Sequence, residues 1–208
     1  MRSSIVMLGI IITCILTAAP TAHASSEGLK LSFGLRAGYG LPAGTALGGD
    51  GHYDADLREI VKGIIPMQLD VGTFLGSRIY VGASLQYGVG LAVGHCKGEC
   101  DVSATRVGLQ LSYHHPWSEN LSPWFGVGLG VDVLDADQVP GIMSGELMES
   151  SGSLEGFEMG NVQGGLDFHV GGPVWFGPYL TATLAKYGGQ DARFHSWLMG
   201  GLRLMVRG

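Results

Sequence analysis

The chain has 208 residues, with 12 Lys and Arg against 18 Asp and Glu, a formal charge of −6 and 36 glycines. The acidic balance speaks against nucleic acid or an anionic membrane surface as partner. Glycine far above the ordinary ~7%, 46% apolar residues, few charges and no long apolar helical span are unusual for a soluble domain and exclude a helical membrane protein.

The N-terminus reads as a targeting segment. Arg2 supplies a positive charge, Ile5 to Leu16 forms a short apolar core, and Ala22-His23-Ala24 has the small-x-small form of a cleavage site. The apolar run is shorter than the ~20 residues that a spanning helix needs, so residues 1–24 are expected to be a signal peptide and residues 25–208 the mature domain.

From Leu31 onward the apolar residues alternate with small or polar ones, a two-residue rhythm that helices do not produce. The first strand sets Leu31, Phe33, Leu35, Ala37 and Tyr39 against Ser32, Gly34, Arg36 and Gly38. The second sets Ile65, Met67, Leu69 and Val71 against Pro66, Gln68, Asp70 and Gly72. The third runs from Ile79 to Leu91, and the fourth carries Val107 to Tyr113 opposite Arg106, Gln110, Ser112 and His114. In the fifth, Phe125 to Val133 oppose three glycines and Asp132. The sixth, from Asn161, places Asp167 and His169 on the non-apolar face, the seventh runs from Phe176 to Leu184, and the eighth places Arg203 inward among Leu198, Leu202, Leu204 and Val206. These lengths suit tilted strands crossing hydrocarbon.

The connections alternate in length. Short ones follow the second strand (Leu75 to Arg78), the fourth (His115 to Pro123) and the sixth (Gly171 to Pro173). Longer or more polar ones follow the first (Leu41 to Gly63), the third (Gly94 to Ser103), the fifth (Asp135 to Gly156) and the seventh (Gly188 to Phe194). Short periplasmic turns with longer external loops are the outer-membrane arrangement. Trp117, Trp124 and Trp175 fall at the inferred periplasmic rim, and Tyr39, Tyr87, Phe157 and Phe194 toward the outer one, so two aromatic girdles are expected. Backbone groups at a strand edge cannot be left unpaired in lipid, so the sheet must close. The expected fold is an all-β, eight-stranded antiparallel up-and-down transmembrane β-barrel.

This pattern resembles the small eight-stranded outer-membrane barrels, such as the OmpA transmembrane domain and OmpX, over roughly residues 29 to 208. The resemblance implies contact with outer-membrane lipid and lipopolysaccharide, insertion by the outer-membrane assembly machinery, and roles from anchoring and adhesion to narrow-pore leakage. The final Leu204-Met205-Val206-Arg207-Gly208 departs from the family's aromatic ending.

Inward charges have to be paired or hydrated. Arg36, Arg106 and Arg203 are expected to bridge Asp70, Asp132 and Asp167, with His169 and Lys30 also on the inner face. That network either fills the barrel or gates a narrow pore. Cys96 and Cys100, in an oxidising compartment, read as a disulfide rather than a metal pair. Asp50, His52, Asp54, Asp56 and Glu59 read as a solvated acidic loop lacking calcium-loop spacing. Glu146, Glu149 and Glu155 read as a surface loop. His195-Ser196 is the best catalytic pair in sequence, but adjacent strand residues point to opposite faces, and no nucleophile, base and orienter assemble. No cofactor or metal is expected. Parity alone leaves one inversion open, a soluble periplasmic barrel with the apolar face inside.

Overall fold

The computed structural model describes residues 30–47, 55–92, 102–136, 152–187 and 194–208. The proposed signal peptide, Cys96, Cys100, Asp50, His52, Asp54, Glu146 and Glu149 lie outside the described residues.

The strands are β1 (Leu31–Leu47), a two-residue β2 (Ala55–Asp56), β3 (Val61–Leu75), β4 (Ile79–Ala92), β5 (Val102–His114), β6 (Leu121–Ala136), β7 (Gly152–Gly171), β8 (Val174–Tyr187) and β9 (Phe194–Val206). A single helical turn, α1 (Leu57–Ile60), lies between β2 and β3. Each long strand pairs antiparallel with the next, and β1 pairs with β9. The long strands, β1 and β3 to β9, therefore form a closed eight-stranded barrel. β2 is a short addition paired to the outer end of β1.

The alternation has the sense that a lipid-facing barrel requires. Leu35, Met67, Leu109, Val127, Leu180 and Leu202 are all exposed, while Ser32, Arg36, Asp70, Gln110, Asp132 and Arg203 are buried between them. Apolar residues thus line the outside and polar ones fill the inside, opposite to a soluble lipid-carrying barrel. The thirteen-residue β5 and β9 set the minimum height. At ~3.4 Å per residue each is about 44 Å long and, tilted by about 40°, rises about 34 Å, more than the ~25 Å apolar band of such barrels.

Two close approaches and two turns explain where glycine is needed. Gly38 and Gly201 face each other at the β1–β9 seam, where a Cβ on Gly38 would strike the Gly200 carbonyl and one on Gly201 the Ala37 carbonyl. At the short turns, Gly76 (φ +68°) and Gly172 (φ +55°) take the left-handed conformation with open space around them.

Three features differ from the sequence expectation. β1 and β7 run beyond the expected boundaries, so Glu155 sits in β7 opposite Val133 rather than in a loop. Within the expected acidic loop after β1, α1 places Leu57 in a buried apolar cluster at that end of the barrel. Trp124 is buried in the lumen, not in the periplasmic girdle, because its position before Phe125 gives it inward parity. Trp117, at 72% exposure, and Phe125, Phe168 and Phe176 do face outward.

Candidate functional site in the lumen

The interior divides into an apolar outer part and a polar remainder. At the loop end, Leu57, Val61, Ile64, Val102, Leu134, Trp197 and Met199 form one buried cluster. α1 delivers Leu57 to it. Asp56 caps that turn by accepting from the Arg58 N–H at 3.1 Å, and Arg58 Nε donates to the Pro42 carbonyl at 3.0 Å. The mouth is closed by hydrophobic packing.

Below it lies the charge network. Arg36 Nε donates to Asp70 Oδ2 at 2.7 Å, while its Nη1 and Nη2 donate to Gln163 (2.5 Å) and Gln110 (2.9 Å). Asp70 Oδ1 accepts from Gln68 at 2.7 Å and from Gln110 at 2.8 Å. A polar net drawn from several strands therefore surrounds one ion pair, which is what a desolvated carboxylate requires. Arg36 and Arg203 are direct cross-strand partners, a repulsive arrangement by itself. Both guanidinium groups stand over the Trp124 ring, with Arg36 Cζ 5.3 Å and Arg203 Cζ 4.3 Å from its centroid, so each cation is attracted by the indole π-system.

The expected residues are brought together only in part. Arg106 pairs with Glu158 at 2.6 Å, not with an aspartate. Asp132 meets His195 at 3.3 Å. Asp167 is 3.8 Å from Arg203 and 2.8 Å from Arg207. His169 falls outside the network. Its ring reaches the Gly172 carbonyl at 2.8 Å and packs 4.9 Å from Trp175, because the strand has passed the barrel rim there. Lys30 is exposed at the same end.

Glu158 and Arg207 are the residues that sequence reasoning missed. The register shift between Glu158 and Gly160 is a bulge that reverses parity, turning Glu158 inward although Val162, four residues on, faces out. An acidic residue shortly before Gly160-Asn161, where a bulge can reverse parity, was the available signal. Arg207 follows the last strand and turns back under the floor, its Cζ 4.1 Å from the Trp175 centroid and 5.2 Å from that of Phe74. Burial lowers the Arg207 pKa, and the Asp167 carboxylate opposes that shift.

The structure also brings together a serine, a histidine and an aspartate that were not expected to meet. Ser112 Oγ lies 3.2 Å from His114 Nε2, and His114 Nδ1 lies 3.6 Å from Asp167 Oδ2. Arg207 Nη2 is 3.2 Å from that same Nδ1. A guanidinium can only donate, so Nδ1 accepts and the ring proton sits on Nε2, donating to Ser112. A general base would need the opposite tautomer. As held by Arg207, the three side chains form a hydrogen-bonded floor without an activated nucleophile. His195 and Ser196 diverge, His195 toward Asp132 and Ser196 Oγ toward the Ala43 carbonyl at 3.5 Å.

A cavity of about 20 Å³ persists among Gln86, Arg106, Gln110, Glu158, Gln163 and Thr181, room for roughly one water. Among the described residues, no cluster of His, Cys, Asp and Glu has a metal-binding arrangement.

No family model matches the chain, and no curated protein matches its sequence. Solved structures do. Neisserial surface protein A superposes with a TM-score of 0.51 at 13% identity, covering 84% of this chain and 96% of its own. The fold is that of the small outer-membrane barrels. AlkL (TM-score 0.48, 16% identity, 91% of this chain and 95% of its own) and OprG from Pseudomonas aeruginosa (0.46, 15%, 86% and 98%) are further structural neighbours of the barrel.

Proposed function

We propose that the protein is a bacterial outer-membrane barrel with a structural or surface-interaction role. It spans the membrane with a side-chain-filled lumen and presents four loops to the exterior. The observation that carries this reading is the pairing of a continuous exposed apolar belt with a polar interior whose charges meet counter-charges. Such an exterior is stable only in hydrocarbon, and paired charges and side chains filling the interior disfavour ion passage. The short turns then face the periplasm and the longer connections the outside. Export by a leader ending at Ala24, insertion by the assembly machinery and a Cys96–Cys100 disulfide stiffening an external loop belong to the same proposal.

Envelope fractionation combined with heat-modifiable electrophoretic mobility tests the location and the closed barrel together. The mass of the mature protein reports the cleavage site and the thiol state. Single-channel recording in planar bilayers tests the closed lumen, and a flat trace is expected. Stepwise conductance from the wild-type protein would replace this reading with that of a narrow pore.

A further inference from the structure

The short-turn end of the lumen holds a group of side chains that the barrel reading leaves without a task. Ser112 and His114 project inward from β5, and Asp167 meets them from β7. Ser112 Oγ is 3.2 Å from His114 Nε2, and His114 Nδ1 is 3.6 Å from Asp167 Oδ2. Phe74 meets the imidazole edge-on at 5.0 Å and Trp124 stacks on it at 5.8 Å, so the ring has little freedom to turn. Serine, histidine and aspartate are all buried. Arg207 closes the group from the rim, and its side chain, at 17% exposure, is the part that reaches the outside.

The position of one proton decides what this group can do. A single guanidinium nitrogen, Arg207 Nη2, donates to Asp167 Oδ2 at 2.8 Å and stands 3.2 Å from His114 Nδ1. It satisfies two acceptors that face each other at 3.6 Å and would otherwise repel. With Arg207 in place, Nδ1 needs no hydrogen of its own, the ring proton stays on Nε2, and the Ser112 hydroxyl has no base. Without Arg207, a bare Nδ1 would be left against a carboxylate, both of them desolvated. The proton then belongs on Nδ1, donating to Asp167, and Nε2 becomes the acceptor for the Ser112 hydroxyl. That is the nucleophile, base and orienter arrangement of serine hydrolases, which is defined by geometry and not by chain order. Tyr80, opposite Ser112 in the β4–β5 register, ends in a buried hydroxyl without a hydrogen-bond partner, a donor still to be used.

We propose that Ser112 is a masked nucleophile and that Arg207 is the positioning residue that masks it, by holding His114 in the unreactive tautomer. The substrate class is a carboxylic ester arriving from the short-turn end. Once Arg207 is displaced, Ser112 Oγ bonds to the carbonyl carbon while its proton passes to His114 Nε2. His114 hands that proton to the departing alkoxide as the ester C–O bond breaks. A water molecule, deprotonated by the same nitrogen, then releases the acid and restores the serine. The membrane reading of the barrel does not depend on this site.

The test folds the full-length mature chain, with isotope-labelled histidine rings, into detergent micelles and checks closure by heat-modifiable mobility. Nitrogen NMR should find His114 in the Nε2–H tautomer in the wild type, its signal identified by its loss in His114→Gln. Arg207→Ala should move the proton to Nδ1, and Arg207→Gln repeats the measurement with less loss of packing. A small fluorophosphonate, whose P–F bond breaks as Oγ bonds to phosphorus and fluoride departs, reports the nucleophile by peptide mass spectrometry. A positioned general base contributes about 10²–10⁴-fold, so Ser112 should label at least about 100-fold faster once Arg207 is replaced. Adding Asp167→Asn or His114→Gln should abolish that gain. An Nδ1–H or doubly protonated ring in the wild type would overturn the inference without any variant. So would an unchanged tautomer in a folded Arg207 variant, or an unlabelled Ser112 after the proton has moved.

Discussion

Asp70→Asn is the sharpest test of how the interior is held. It removes the carboxylate from an ion pair in which Arg36 is 4% and Asp70 0% exposed. Stripping one partner from a buried pair costs about 3–5 kcal/mol. Arg36 keeps its bonds to Gln110 and Gln163, and the amide oxygen introduced by the substitution still accepts one donor, so the lower end applies, about 3 kcal/mol. Part of that cost is repulsion from Arg203, the cross-strand partner of Arg36. The assay is reversible urea unfolding from lipid vesicles, followed by the heat-modifiable gel shift and tryptophan emission. A population ratio lowered about 100-fold is expected in Asp70→Asn. Adding Arg36→Gln should recover part of the loss, giving a coupling energy of about 2 kcal/mol in the double-mutant cycle. A change below about 0.5 kcal/mol in Asp70→Asn, or strict additivity in the cycle, would refute the buried-network account.

Other perturbations probe the two ends and the seam. Arg207→Gln removes the 2.8 Å bond to Asp167 and the contact with His114, and should cost about 1–3 kcal/mol in the same unfolding assay. Gly201→Val should abolish the heat-modifiable closed form, since its side chain would enter the backbone of β1, while Gly76→Asn should be tolerated at its open left-handed turn. Leu57→Ala empties part of the mouth cluster and should cost about 2–3 kcal/mol while raising protease sensitivity between β1 and β3.

Much of the fold was legible because the period-two pattern is a direct print of the pleat. Leu31 to Tyr39 and Leu198 to Val206 needed no tertiary knowledge. The departures arise where the pleat is interrupted or where partners are set by the shear of the closed sheet. The bulge before Gly160 hid Glu158, and with it the partner of Arg106. Asp132 lies opposite Arg106 on β6, yet its side chain meets His195 from β9, a pairing that no local pattern encodes. Trp124 looked like a rim residue because tryptophan is common at interfaces. Its parity already pointed inward, and the two arginines that stand over its ring explain why an indole fills that place. The packing of α1 at the mouth was hidden by the acidic character of the surrounding sequence, which masks the buried Leu57.

The outer belt has a weakness that the interior corrects. A strand that slipped by two residues would still show lipid a row of leucines, valines and phenylalanines, and hydrocarbon would scarcely distinguish the shifted wall from the right one. Inside, the same slip would carry Arg36 away from Asp70, and Arg106 away from Glu158. The greasy surface decides that the chain sits in a membrane, while the hidden ions decide which rung of each strand meets which rung of its neighbour.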